Sequence, residues 1–250
     1  MNDESFHLEN APIIEAVIDI DCDMPTDFDL KASESAIVEA LKDSYPKLRQ
    51  QFFREHKVSY SKDSLPQVDI RQGLKALQFQ SEDEKQLVQI RTNGFSFNRL
   101  APYEGLEKYL PEVKSRWSLF TEFVKPVQVR KIGLRTINRI LLPLEEGRLN
   151  LDDYLKIGPH LPDEDSLTFL GFLNQHMAIE SETGNRVNIV LTTQESTKDE
   201  FPLILDIDAF YLCQLEPPPW EKVLEIITSL RSLKNRVFQN TLTEKCLNLF

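Results

Sequence analysis

The segment 130–143, RKIGLRTINRILLP, concentrates the residue types most able to do chemistry. Read as a strand, it points Lys131, Gly133, Arg135, Ile137 and Arg139 to one side and Ile132, Leu134, Asn138 and Ile140 to the other, because successive side chains alternate. The cationic side cannot be ordinary core, so each cation must meet water, a carboxylate or an anionic ligand. Carboxylates suited to them occur in two other strand-like runs, Glu15 and Asp19 in IIEAVIDI and Asp206 and Asp208 in LILDIDAF. Internal ion pairing is the favoured reading, since 40 acids face 29 Lys and Arg. Two strand-borne acids could also hold a hard cation such as magnesium, but neither a third acid at fixed spacing nor a phosphate-cradling glycine loop accompanies them. We therefore single out Glu15, Lys131, Arg135, Asn138, Arg139, Asp206 and Asp208 as a central polar, ligand-binding cluster, with no metal ligand and no catalytic residue assigned.

Other chemistries find little support. GxSxG, Walker and GxGxxG motifs are missing, and 8 glycines leave few places for backbone to wrap a phosphate, so no cofactor is called for. Cys22, Cys213 and Cys246 form no CxxC pair and lie in or beside apolar runs, which predicts buried, inert thiols in a reducing cytoplasm. His7, His56, His160 and His176 lack the i, i+4 spacing of a helical zinc site. Phe95, Phe97, Tyr103, Trp117 and Trp220 could stack bases, but at strand and helix spacing they read first as core. A formal charge of −11 disfavours nucleic acid and anionic membranes. The opening MNDESFHLEN has no basic stretch followed by an apolar one, and no run of eighteen apolar residues follows, so we expect a cytoplasmic chain without membrane contact.

The elements that would carry these residues are read from periodicity. Residues 13–20 are β-branched and bounded by Pro12 and a turn-like DCDMPTDFD, which predicts a strand with Glu15, Val17 and Asp19 on one face and Ala16, Ile18 and Ile20 on the other. Leu30, Ile37, Leu41 and Leu48 predict a helix from 29 onward, ending near Pro46. The stretch 56–73 is polar and shows no clear period. Residues 74–100 alternate around SEDEK and Asn93-Gly94, predicting two or three antiparallel strands. Leu106, Tyr109, Leu110, Val113, Trp117, Phe120 and Phe123 mark a helical stripe within 103–123, with Pro111 near its start. Beyond the strand at 129–143 the spacing predicts a short helix in LNLDDYLKI, strands at 167–180, 187–193 and 203–213, a long helix at 220–238 and a short one within 242–250.

Written as elements, residues 1–126 and 127–250 give similar strings, which predicts an α+β fold of two internally duplicated βαβββα units, with mainly antiparallel sheets packed by long helices. Phe95 falls 115 residues before Phe210, and at that offset Gly94 meets Ala209 and Leu100 meets Leu215, while the opening strands match at 119 through Ile13 and Ile132. Duplicated folds of this type, including those resembling the TATA-binding protein, bind nucleic acid or small ligands on a concave sheet, an analogy of fold alone.

The runs LENAPIIEAVIDI, NGFSFNRLAPYEGLEKY, VRKIGLRTINRILLP, LDDYL, LDIDAF and LRSLKNRVFQNTLTEK together resemble a sporadically distributed prokaryotic family of chains of about this length. The match covers 12–17, 133–140 and 206–210, with Thr136 standing where an aromatic is common. The resemblance implies an accessory protein and carries no activity, cofactor or catalytic residue. The leading expectation is a binding or interaction protein without catalysis in an accessory bacterial system, with an unidentified protein partner or a small anionic ligand, and a homodimer as one arrangement. The alternatives are a metal-assisted enzyme acting on a phosphate-containing substrate and a nucleic-acid-binding protein using a duplicated sheet saddle.

Overall fold

The computed structural model describes residues 8, 10–61, 64–144, 149–159, 170–195 and 200–250. His7, His160 and residues 167–169, the start of an expected strand, fall outside them. The chain opens with strand β1 (Ile13–Asp23), in which Ala16, Ile18, Ile20 and Cys22 are buried and the alternate residues are not. Helix α1 (Leu30–Leu41) follows; the Asp29 carboxylate accepts from the Lys31 N–H at 2.8 Å and caps its first turn, and Leu30, Ile37 and Leu41 form its buried stripe. The helix stops there. Leu48 continues the spacing but belongs to a strand, because Pro46 lacks an N–H and holds the residue before it extended.

Strands β2 (Lys47–Ser61) and β3 (Ser64–Gln80) run through 56–73, where the sequence shows no clear period. They pair along their length, yet β4 (Gln86–Arg91) bonds β3 only from Ala76 to Gln80. The outer part of the hairpin is thus a two-stranded ribbon with little core to impose a period on its sequence. Strand β5 (Gly94–Leu100) and helix α2 (Leu106–Val124) complete the first half, which has one strand more than the predicted string. The second half begins with strand β6 (Gln128–Pro143) and a single 3-10 turn (Leu151–Asp153) where a short helix is predicted. Strands β7 (Leu173–Ile179), β8 (Arg186–Thr193) and β9 (Glu200–Leu215) follow, then helices α3 (Trp220–Thr241) and α4 (Glu244–Leu247).

The fold is mixed α and β: nine strands form one sheet in the order β2-β3-β4-β5-β1-β6-β9-β8-β7, antiparallel throughout. Chain segments before and after residue 126 lie on either side of the β1/β6 boundary. Helices α1, α2 and α3 pack against β3, β5 and the β6/β9 pair, all on one face. That face supplies the core, with Ile18 and Ile20 between Phe95 and Phe97 on one side and Ile132 and Leu134 on the other. Each such aliphatic side chain contributes about 1.5–3 kcal/mol by leaving water. Phe95 packs edge-on against Trp117 at 5.8 Å, so Phe95, Phe97 and Trp117 are core and offer no surface for stacking bases. No helix among the described residues is long and apolar enough to cross a membrane.

The register corrects one argument for duplication. Phe95 pairs with Ile20 on the helix-covered face, whereas Phe210 pairs with Gly133 on the opposite face, under the Lys131 ammonium. An offset of 115 therefore superposes residues of opposite faces, since a single-residue shift turns every side chain of a strand over.

Candidate functional site: the open face of the sheet

No described helix packs on the face opposite α1, α2 and α3, although Ser96 and Asn98 on that face are buried. Its centre is built by register: Asp19 lies across from Gly133 and Ser96, Arg135 across from Val17 and Asp208, and Asp206 across from Ile137. Glu15, Lys131, Arg135, Asp206 and Asp208 thus share one surface on β1, β6 and β9. Arg135 grips Asp206 through both of its arms, with Nε 2.8 Å from Oδ1 and Nη2 on Oδ2. That bond, more than any other neighbour, raises the affinity of Arg135 for its proton. Lys131 sits between Asp19 at 3.7 Å and Asp208 at 3.9 Å, with its ammonium 5.1 Å from the centre of the Phe210 ring.

Two predicted members stand apart. Asn138 lies on the helix-covered face, 1% exposed, and donates to the Leu205 carbonyl at 2.8 Å. Arg139 projects from the open face but donates to Gln194 Oε1 at 3.2 Å; no acid holds it among the described residues. The expectation that both arginines meet carboxylates is corrected for Arg139, because the residue across from it on β9 is Ile204 rather than an acid.

The reading of the sequence missed Arg91. From β4 its guanidinium reaches over β5 to Asp19 at 2.5 Å and Asp21 at 2.9 Å. The reach requires Gly94: a Cβ there would fall 2.2 Å from the Ile20 carbonyl oxygen and 2.9 Å from Arg91 Nη2. Nothing in the local sequence around Arg91 points to these two acids. A chain of amides was also missed: Gln78 donates to Gln89 at 2.9 Å, Gln89 to Asn98 at 3.4 Å, and Asn98 to Glu15 Oε1 at 2.6 Å. Together these contacts tie β3 through β9 across the open face.

Burial raises the proton affinity of both Asp208 and Asp21; Lys131 opposes the shift at Asp208, while Asp19 adds to it at Asp21 before Arg91 opposes it. Desolvation also pushes the Cys22 and Cys246 thiols up to about 12, so both stay protonated near neutrality. Asp206 and Asp208 each face a cation, and among the described residues no group of three or more His, Cys, Asp or Glu is gathered as metal ligands.

No protein-family model matches the chain, and no curated protein matches it. The site must therefore be read from its own geometry. On the other side of the sheet, a cavity of about 360 Å³ opens between the start of α2 and the middle of α3. Asn138, Arg231, Lys234 and Asn235 contribute to its lining, and Lys234 and Asn235 are buried. Lys234 stands seven residues after Ile227 and four after Leu230, on the buried stripe of α3, so a charged residue at an apolar position was legible there.

Proposed function

We propose that the protein is a non-catalytic binding component of an accessory bacterial system, and that the open sheet face is its docking surface for a protein partner. The observation that carries this reading is the mutual pairing of the face's charges. Arg91, Lys131 and Arg135 are matched by Asp19, Asp21, Asp206 and Asp208, carried by β4, β1, β6 and β9 across a span of five neighbouring strands. Groups held this way keep a fixed outline and little local charge, which suits recognition by shape and hydrogen bonding. A metal-assisted phosphate chemistry would instead ask Asp206 and Asp208 for free oxygens, and Asp206 spends both on Arg135.

Membership in the sporadically distributed prokaryotic family and descent by duplication belong to the same proposal. Support for duplication comes from the strand order, in which central β1 and β6 are flanked by β5 and β9, then β4 and β8, with α2 and α3 following β5 and β9. Strand β2 has no counterpart; failure of β1, β5, β4, β3 and α2 to superpose on β6, β9, β8, β7 and α3 would remove it. The functional reading is tested by co-expression with the products of neighbouring genes. A complex that survives Lys114→Ala, at an exposed position of α2 on the opposite side of the sheet, but is lost on Arg135→Glu supports the open face. Turnover of nucleotides, phosphoesters or esters that Arg135→Ala abolishes would overturn the non-catalytic reading.

A further inference from the structure

We infer that the protein self-associates by pairing β7 of one copy, antiparallel and about a two-fold axis, with β7 of a second copy. This goes beyond the open-face reading and does not rest on it. The sheet ends in β2 on one side and β7 on the other, and an end strand presents N–H and C=O groups that another strand can bond. The two ends are treated differently. Strand β2 carries Lys47, Arg49, Arg54 and Glu55, the charged side chains that discourage pairing. Strand β7 reads LNQHMAI, without Asp, Glu, Lys, Arg or Pro, and no described residue bonds its outward edge.

The side chains of β7 are apolar where water meets them. Leu173, Met177 and Ile179 are 73%, 79% and 59% exposed, and Leu170 just before the strand is 93% exposed. Leu173, Gln175, Met177 and Ile179 share the open face, since Gln175 and Met177 lie across β8 from Asp206 and Asp208. The occupant that fits is the strand itself. With the two-fold axis at His176, Leu173 of each copy faces Ile179 of the other and Gln175 faces Met177, so exposed apolar groups cover one another. Charge favours the same approach: two bodies of net charge −11 repel, and an uncharged strip is where they meet at least electrostatic cost. A single strand pair buries less than the ~800 Å² per partner of a standard interface, so the dimer is weak and concentration-dependent.

Sedimentation velocity from low to high micromolar protein should show the 29.0 kDa chain passing reversibly from monomer to dimer. Met177→Lys, at a position where substitution disturbs no core, should leave a monomer with an unchanged melting temperature. Register is read by disulfides in a Cys213→Ser background. His176→Cys should form a cross-linked dimer on mild oxidation, because facing residues of an antiparallel pair have Cα atoms about 4.5–5.5 Å apart, within disulfide range. Asn174→Cys should not, since it faces Ala178. The inference is overturned by a monomer at every concentration, by a dimer indifferent to Met177→Lys, or by equal cross-linking at 174 and 176.

Discussion

Two residues apart on β9, Asp206 and Asp208 are held in opposite ways. Asp206 is clasped by Arg135, whose side chain is 46% exposed against 15% for Asp206. Asp206→Ala should therefore cost about 1 kcal/mol in chemical denaturation, near the surface end of the range, rather than the 3–5 kcal/mol lost when a fully buried pair is broken. Asp208 is pushed toward its neutral form by burial. Its folded pKa lies above the ordinary value of 3.8, so it favours the fold below that value and this contribution is lost as pH rises through the raised pKa. Asp208→Asn should then melt at the same or a higher temperature than the parent at pH 7, with the gain shrinking as pH falls toward 3.8; a large loss at pH 7 would show that the Lys131 contact outweighs burial. The acids and cations on β1, β6 and β9 were legible because alternation in each strand aligns them. Arg91 was not, because its acids stand 70 and 72 residues away in sequence and only the register of β1 with β5 and of β5 with β4 brings them near.

At the scale of elements, the turn between β4 and β5 and the start of α1 each depend on one residue. Gly94→Ala would drive a methyl group into the Ile20 carbonyl and should destabilise by about 1–3 kcal/mol, displacing Arg91 from Asp19 and Asp21. Asp29→Ala removes the cap on α1 and should cost about 1 kcal/mol, read by urea unfolding. Strands β1 and β6 announce themselves because every second residue is buried from Ala16 to Cys22 and from Ile132 to Leu142, which imposes a two-residue period there. The β2–β3 ribbon does not, since Phe52 is 64% exposed and Arg54 and Glu55 are also exposed, so no buried face imposes a period. At Gly73 the ring of Phe53 occupies the space a side chain would take, with Cε1 2.8 Å from the position of a Cβ. That cross-strand aromatic contact lies beside the backbone pairing of β2 with β3, and no local pattern in the sequence foretells it.

For the molecule as a whole, the β1–β6 pair joins the two halves of the sheet, running from Ile13 against Asn138 to Asp23 against Gln128. Residues 127–250 expressed alone would leave β6 with a bare edge at the middle of its core. We expect that fragment to associate or to unfold without a sharp transition in size-exclusion chromatography and urea titration; a monomer unfolding cooperatively would make the half an independent domain. The same pairing sets a schedule for synthesis. Strand β1 gains its β5 neighbour once residue 100 is available, but its other neighbour ends at residue 143. With roughly forty residues still to be added at about 5–20 per second, the growing chain carries a half-finished sheet with one apolar, strand-hungry border for roughly 2–9 s. Neighbouring chains on one message each expose that same border in turn, so closer spacing of ribosomes brings unfinished sheets together before β6 can close them.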